Sequence, residues 1–314
     1  MRLSPANWPT CCPIPGKWPP QVKKTLHGRP GTSRPAPSPP PPVPSSNRPF
    51  QEKNSDEFYW LLSLIMSTIT IAMIANNEEK NLARSLSSAA WADELIFVDC
   101  GSTDGTALAA RDFPVKFFSR PNSRAVYINK QFAADQAASD WIFILDADEE
   151  ISPSLRSEIR RVIAAPKGPA AYELPRKNFY FGRWLRHGGK YPDRQLRLFR
   201  RGSARFLPKP VHERLETDGG VGRLKEPLLH YPYTDEEDRR RKLEFYSEIL
   251  ACSYALKNRS RTLILLRPFT RFAGAYFIKL GFLDGWAGLK TALMDFSTVL
   301  ASALRYRKEP DEEQ

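Results

Sequence analysis

Residues 141–150 read Trp-Ile-Phe-Ile-Leu-Asp-Ala-Asp-Glu-Glu, and the interpretation of the whole chain starts from this stretch. Its first half is apolar enough for a strand that is buried on both faces, as in a parallel sheet. Two carboxylates, Asp146 and Asp148, follow where that strand ends. Because the carboxyl ends of strands form the ligand crevice of an open α/β sheet, the pair predicts a site for a metal-bound, phosphate-bearing ligand.

A structural explanation of the same acids competes with this one. The next helix is expected after Ser152, so nearby acids can cap that helix or complement its dipole. Capping accounts for at most one or two of the four acids. We therefore interpret Asp146 and Asp148 as functional residues, and Glu149 and Glu150 as groups that serve the helix end.

Strands and helices alternate from residue 68 onward. Apolar runs predict strands at 68–75, 94–99, 115–118 and 141–146, and helical patterns fill 78–91, 104–111 and 123–138. Such alternation implies right-handed crossovers and a doubly wound, mostly parallel sheet. The strand ends then share one edge, so the loops at 76–78, 99–106 and 146–148 are expected around a single crevice.

The N-terminal part has a different composition. Residues 1–50 contain 15 of the 28 prolines and no Asp or Glu. A segment of this kind cannot build a packed core, so residues 1–65 are expected to form a disordered extension. It is either a Pro-rich linker or partner-binding arm, or the product of a start assigned too far upstream. We favour the second, since Met66 stands immediately before the first strand.

The formal net charge of +12 narrows the classes of partner. Arginines cluster at 194–205 and again at 239–241, beside Lys242. A basic surface suits nucleic acid, an anionic membrane or an anionic substrate. No nucleic-acid-binding motif accompanies the charge, which makes nucleic acid the weakest of the three.

Residues 233–314 are expected to be helical, beginning with one helix over 235–258. The following stretch is rich in apolar and aromatic residues, with Arg267, Arg271, Lys279 and Lys290 interspersed. It has no window of 18 uncharged apolar residues, so a membrane-spanning helix is not expected. Two interpretations stay open: helices that lie in a membrane interface, and helices that simply pack against the α/β domain.

The chain contains an ordered set of motifs: Asn76-Asn77-Glu78, Asp99-Cys100-Gly101-Ser102-Thr103-Asp104-Gly105, Asp146-Ala147-Asp148, Tyr191-Pro192-Asp193-Arg194-Gln195, Val211-His212-Glu213 and Leu228-Leu229-His230-Tyr231. This set resembles the inverting glycosyltransferases of family 2, which have a GT-A fold. The similarity covers residues 68 to about 305, and the branch typified by the lipopolysaccharide core β-1,4-glucosyltransferase is the most similar. It implies a GT-A catalytic domain over 66–232, followed by the helical region over 233–314, for which the interfacial and the packed interpretation both stay open.

The resemblance implies roles for particular residues in holding a nucleotide sugar. Glu78 and Asp99 would hold the base and the ribose. Asp146 would face the ribose and the metal ion, and Asp148 would bind a Mg²⁺ or Mn²⁺ that bridges the diphosphate. Further contacts to the nucleotide sugar are expected from Asn77, Lys130 and Arg197.

Inversion at the sugar requires a base on the side opposite the leaving group. The resemblance assigns this role to Asp193, although Pro192 replaces the usual Glu before it; Glu213 is the alternative base. A structural explanation of Asp193 is an ion pair with Arg194 or Arg197. His212 is a weaker candidate, as a third metal ligand.

Taken together, these residues predict a cytoplasmic enzyme on the inner face of the cytoplasmic membrane. It would move a hexose, with glucose as the first candidate, from a UDP sugar to a lipid-linked saccharide such as the lipopolysaccharide inner core. One alternative is transfer to another polysaccharide or to a polyprenyl carrier. Another is a nucleotide-sugar-binding module without turnover.

Overall fold

A computed structural model of the chain describes residues 67–123, 125–165, 167–207, 214–256 and 260–306. The N-terminal extension, with Met66, lies outside the described residues. So do His212 and Glu213. What was predicted for these positions therefore stays a prediction.

The first half of the fold consists of parallel strands with helices between them. The strand order is β3-β2-β1-β4, and all three pairings are parallel. Every strand and helix predicted for this half is present to within a few residues, which confirms the doubly wound arrangement. The elements are β1 Ile69–Ala75, α1 Glu79–Ala89, β2 Glu94–Asp99, α2 Thr106–Ala110, β3 Lys116–Ser119, α3 Val126–Asp135 and β4 Trp141–Asp146.

The second half extends the same sheet with mixed pairings. β8 runs antiparallel to β4, with Phe143 opposite Leu198, so the start of β8 lies at the edge where β4 ends. β6 is antiparallel to β8, and β12 is parallel to β6. The elements are β5 Glu149–Glu150, α4 Pro153–Ile163, β6 Ala171–Tyr180, β7 Arg183–Trp184, β8 Asp193–Arg200, β9 Ala204–Leu207, β10 Arg214–Thr217, β11 Val221–Arg223 and β12 Leu228–His230.

Strand β4 has helices against both of its faces, as its unbroken apolar sequence predicts. Trp141 and Phe143 point into one core with Leu155, whereas Ile142 and Ile144 point into the other. Because side chains alternate along a strand, both sets are buried and the strand end is fixed in position. This packing holds the carboxylates after residue 145 at the edge of the sheet.

The end of helix α4 corrects one prediction. Ser152 is the cap: its Oγ accepts a hydrogen bond from the Leu155 backbone N–H at 3.2 Å, and Pro153 occupies the first turn. Glu149 and Glu150 form strand β5 instead of serving the helix end. The capping role predicted for these two acids is therefore wrong.

The C-terminal part is helical, as predicted. It comprises α5 Glu236–Leu256, α6 Arg261–Ala273, a π-helical turn Gly274–Ile278, a 3-10 turn Gly281–Asp284 and α7 Gly285–Arg305. Helix α7 contacts α5 and the segment before β8. Arg305 Nη1 donates to the Glu244 carbonyl of α5 at 3.0 Å, and Asp295 pairs with Lys190 Nζ at 3.0 Å. Among the described residues, none of the helices has the length and apolar character needed to cross a bilayer.

Candidate functional site

A cavity of about 1140 Å³ opens at the carboxyl ends of β1 and β4, and helix α5 forms part of its wall. Its volume is slightly above the ~300–1,000 Å³ common for small-molecule sites. Charged side chains from elements that are distant in sequence meet on its wall. They include Glu78, Lys130, Asp146, Asp148, Arg176, Arg197, His230, Arg241 and Lys242.

Asp146, the last residue of β4, is held between two cations. Its Oδ1 lies 2.8 Å from Lys130 Nζ, and its Oδ2 lies 2.6 Å from Arg197 Nη2. Burial alone would raise the pKa of Asp146, but Arg197 and Lys130 hold that pKa well below its usual value. Asp146 is therefore an anion whose two oxygens are both fixed by charge-assisted pairs.

The pairing continues into the protein interior through Glu149, whose side chain is fully buried. Glu149 Oε1 lies 2.7 Å from Arg197 Nη2 and 3.1 Å from Arg176 Nη1. Glu149 Oε2 accepts a hydrogen bond from the Asp146 backbone N–H at 3.0 Å. Arg176 Nη2 in turn lies 2.6 Å from Asp193 Oδ2. We name this alternating row the charge ladder; its members are Lys130, Asp146, Arg197, Glu149, Arg176 and Asp193.

No local sequence signal points to the role of Glu149. Its two arginine partners lie 27 and 48 positions further along the chain, on β6 and β8. The helix-end interpretation considered only neighbours in sequence. The sheet register, which brings β8 beside β4, decides the pairing instead.

Asp148 lies on the other side of the strand end and faces His230 and Lys242. Its Oδ2 is 3.4 Å from His230 Nε2 and 3.5 Å from Lys242 Nζ. Burial alone would raise the pKa of Asp148, but His230 and Lys242 lower it below the usual range. The carboxylate is therefore ionised and open to a cation.

A hydrogen-bond network fixes which nitrogen of His230 faces Asp148. Asn178 Nδ2 donates to the Lys190 carbonyl at 2.7 Å and to Asp193 Oδ2 at 3.3 Å, so the Asn178 amide oxygen is the remaining acceptor. That oxygen lies 2.6 Å from His230 Nδ1, which must therefore carry a proton. In the charged ring, Nε2–H points at Asp148, and this is the contact that lowers the pKa of the carboxyl group; in the neutral ring, Nε2 carries a lone pair that a cation can use.

Asp148 and His230, on the cavity wall, fit a divalent cation that is bound together with a diphosphate. Within the described part of the chain, no group of three or more His, Cys, Asp or Glu residues is arranged to hold a metal ion. Asp148 and His230 supply two donors, and Asn178 orients the imidazole by accepting the hydrogen bond from its Nδ1. Mg²⁺ commonly takes one or two carboxylates and completes its coordination with substrate phosphates and water.

Lys242 ties helix α5 to the strand edge. Its Nζ lies 2.8 Å from Glu78 Oε1 and 3.3 Å from Asp238 Oδ2, in addition to its approach to Asp148. Burial alone would lower the pKa of Lys242, but Asp148 and Glu78 raise it, so the ammonium stays charged. Burial raises the pKa of Glu78. The sequence placed Lys242 in a basic cluster without a role.

Two of the residues expected to contact the nucleotide lie behind the cavity wall. Asn77 has a left-handed backbone (φ 56°), and its Oδ1 accepts from the Thr103 N–H at 2.7 Å. Asp99 is buried, and its Oδ1 accepts from the Ser102 N–H at 3.3 Å. Their neighbours Asn76 and Cys100 line the cavity instead. Nucleotide contacts from Asn77 and Asp99 stay predictions.

Asp193 is the first residue of β8 and lies beside the cavity. Its neighbours Arg176 and Gln195 line the cavity. Arg176 Nε and Nη2 both donate to Asp193 Oδ2, at 2.9 and 2.6 Å, and Gln195 Nε2 donates to Oδ1 at 2.8 Å. Burial alone would raise the pKa of Asp193, but Arg176 lowers it. The ion-pair partner is thus Arg176, and not Arg194 or Arg197 as in the alternative structural explanation.

Known proteins show several similarities to this chain. Residues 70–222 match the family model described as Glycosyl transferase family 2. The lipopolysaccharide core biosynthesis glycosyltransferase LpsC of Rhizobium meliloti (strain 1021) is 30% identical over 223 residues, which are 68% of this chain and 80% of that protein. The uncharacterized glycosyltransferase RT0209 of Rickettsia typhi (strain ATCC VR-144 / Wilmington) is 27% identical over 243 residues, covering 73% and 83%.

One solved structure with a similar chain is the mannosyltransferase PcManGT from Pyrobaculum calidifontis in complex with GDP-Man and Mn²⁺. It is 13% identical, with a TM-score of 0.44, over 81% of this chain and 96% of that chain. The family-model match spans β1 to β11 and so includes Asp146, Asp148 and Asp193. With the 30% identity across four-fifths of LpsC, it confirms the expected family. The chain belongs to glycosyltransferase family 2.

Proposed function

We propose that this glycosyltransferase is metal-dependent and inverting, and that it moves a hexose from a UDP sugar to a lipid-linked saccharide of the lipopolysaccharide core. The observation that carries the proposal is the Asp148 and His230 donor pair beside three cations, Lys130, Arg197 and Lys242, on one cavity wall. The lipopolysaccharide acceptor is supported by the relative LpsC, whose name states that role.

The charges on the wall suit departure of a nucleoside diphosphate. When the glycosidic bond to the leaving phosphate breaks, negative charge grows on that phosphate while the sugar becomes cationic. Fixed cations already in place stabilise that charge without having to reorganise. A divalent ion held by Asp148 and His230 would supply additional charge neutralisation and orient the diphosphate. Glu78, in the loop after the first strand, is the proposed contact to the nucleobase or the ribose.

Removal of the metal should abolish turnover. We expect EDTA to stop release of nucleoside diphosphate from a UDP sugar, and added Mn²⁺ to restore it. Because His230 is one of two protein donors, His230→Ala should raise the Mn²⁺ concentration for half-maximal rate by ~10–100-fold. His187→Ala is the matched control, since His187 pairs with Asp284 away from the cavity. Equal Mn²⁺ requirements for both variants would exclude His230 as a ligand.

Asp193 is the proposed base that takes the proton from the acceptor hydroxyl. Asp193 Oδ2 accepts three hydrogen bonds, two from Arg176 and one from Asn178, whereas Oδ1 accepts only one, from Gln195. Since a carboxylate oxygen has about two acceptor sites, one site on Oδ1 stays open. Since the lowered pKa keeps Asp193 ionised at neutral pH, it can accept a proton there.

Asp193→Asn keeps the size of the side chain but removes its basicity. We expect kcat for transfer to fall ~100-fold or more, with little change in KM for the donor. Because a base must be deprotonated and Arg176 lowers the pKa of Asp193, the acid limb of the wild-type rate should lie below the ordinary pKa of an aspartate side chain. Initial rates of transfer across pH check both points. If Glu213→Gln were inactive and Asp193→Asn active, the base would be Glu213.

The domain boundaries and the cellular location of the enzyme are proposed as well. The catalytic domain is assigned to residues 66–232 and the helical region to 233–314, although Lys242 and Tyr246 of the second part line the cavity. The enzyme is placed in the cytoplasm at the inner face of the membrane, where a UDP sugar and a lipid-linked acceptor meet.

A panel of UDP and GDP sugars with Mn²⁺ separates this proposal from its alternatives. A ligand that binds only the folded state raises the melting temperature, so the true donor should produce the largest shift. Release of nucleoside diphosphate from that donor excludes a binding module without turnover. Transfer to lipopolysaccharide core, tested beside another polysaccharide and a polyprenyl carrier, decides the acceptor. Absence of any shift across the panel would contradict the proposal.

A further inference from the structure

The hairpin between α6 and α7 exposes a continuous row of large apolar side chains. On α6 only Ile264 and Pro268 are buried. Monomeric soluble proteins seldom expose apolar patches beyond a few hundred Å², and larger ones mark interaction sites. We call the following seven residues, which are between 44% and 80% exposed, the apolar ridge: Phe269, Phe277, Ile278, Leu280, Phe282, Leu283 and Trp286.

Specific contacts hold the turn that carries the ridge in a fixed conformation. Tyr276 contacts Phe282 across the turn, with ring centroids 6.2 Å apart. Gly281 passes so close to the Ala275 carbonyl that a Cβ there would lie 2.6 Å from its oxygen, so the turn requires glycine. The Gly188 N–H donates to the Lys279 carbonyl at 2.8 Å, which anchors the turn to the segment before β8. The exposed side chains therefore project from a braced turn.

The exposed charges beside the ridge are positive. Residues 260–306 contain six Lys or Arg and two Asp or Glu. Both acids are turned inward: the Asp284 side chain is 9% exposed and pairs with His187, and the Asp295 side chain is 18% exposed and pairs with Lys190. The exposed cations nearest to the ridge along the chain are Arg267, Arg271 and Lys279. Arg271 is also paired with Asp295, at 3.1 Å.

We infer that the apolar ridge docks on an anionic lipid bilayer. Its aromatic and aliphatic side chains enter the boundary between headgroups and acyl chains, and Trp286 is of the type that favours this depth. The neighbouring Lys and Arg side chains then meet the lipid phosphates. A symmetric contact between two copies would bring the same positive patches together, which disfavours self-association as the cover for the ridge.

Docking through this surface would fix the orientation of the cavity relative to the bilayer. Helix α7 carries Trp286 near its start, while Arg305 at its end bonds to the Glu244 carbonyl of α5. Helix α5 supplies Lys242 and Tyr246 to the cavity wall. That the membrane also presents the acceptor rests on the proposed function; the docking itself does not.

Co-sedimentation of the full chain with vesicles tests the inference. We expect binding to vesicles that contain phosphatidylglycerol, and weak binding to pure phosphatidylcholine. Ile278→Ser combined with Trp286→Ser should weaken binding at least ~10-fold, because the double variant transfers less apolar surface from water into the bilayer. Lys279→Gln should weaken it ~5-fold, and less so at high salt. Leu108→Ser, which alters a 71% exposed leucine on α2, is the matched control and should bind as the wild type does.

Several outcomes would overturn the docking surface. They are failure of the wild type to bind anionic vesicles, unchanged binding by the double variant, or a dimer in light scattering that the double variant dissociates. Release of nucleoside diphosphate in vesicle-free solution should be unchanged in the double variant, which shows that it is folded. If the wild type binds vesicles but turns over no donor, the proposed function fails and the docking surface stands.

Discussion

Asp148→Ala should reduce release of nucleoside diphosphate from the donor by about a thousandfold or more. The substitution removes the carboxylate that, with His230, is proposed to hold the divalent ion, and that ion contributes several kcal/mol to stabilising the leaving phosphate. At about 1.4 kcal/mol per factor of ten, such a loss corresponds to roughly three orders of magnitude. Initial rates with saturating Mn²⁺ measure it.

Asp112→Ala is the matched control for this substitution. Asp112 is an exposed acid in the loop after α2, outside the cavity lining. Its variant should retain wild-type turnover and the same melting temperature. If Asp148→Ala kept more than a tenth of the wild-type rate, the proposed metal site at this strand end would be wrong.

Glu149→Gln should lower the free energy of unfolding by about 3–5 kcal/mol, the cost of breaking a buried ion pair by removing one partner. The substitution keeps the shape of the side chain but leaves Arg176 and Arg197 facing each other without the anion between them. Urea denaturation monitored by tryptophan fluorescence measures the difference. Turnover should fall as well, since Arg197 also holds Asp146.

The adjacent acid gives a direct comparison. Glu150 is 30% exposed, and its ion-pair contact with Arg84 is long, at 3.9 Å. A half-exposed pair of this kind contributes at most about 1 kcal/mol, so Glu150→Gln should stay within that range. Equal destabilisation by the two substitutions would show that the charge ladder has no special contribution to stability.

The apolar patterns were enough to predict the first half of the sheet, with its helices, and the helical C-terminal part. Residues 68–146 alternate between buried-strand and helical periodicity, and both periods depend only on near neighbours in the chain. The position of Asp146 and Asp148 at a strand end follows from the same local pattern. The motifs around them were enough to predict the family.

The ion-pair partners of the site residues could not be predicted from local patterns, because they come from segments that are distant in the chain. Glu149 was assigned to a helix end from its neighbours, whereas β6 and β8 bring Arg176 and Arg197 to it. His230 and Lys242 meet Asp148 only because β12 and α5 fold over the strand edge. For the same reason, Asp193 pairs with Arg176 of β6 and not with Arg194 or Arg197 of its own strand.

The sequence by itself determined the α/β class, the edge of the sheet where the acids gather, and membership of glycosyltransferase family 2. Only the tertiary structure decided which cation neutralises which acid, which imidazole nitrogen faces Asp148, and that the aromatic side chains of the C-terminal hairpin stay exposed. The physical reason is one of range. Periodicity reports burial within one element, whereas ion pairing and exposure depend on sheet register and helix docking between elements far apart in the chain.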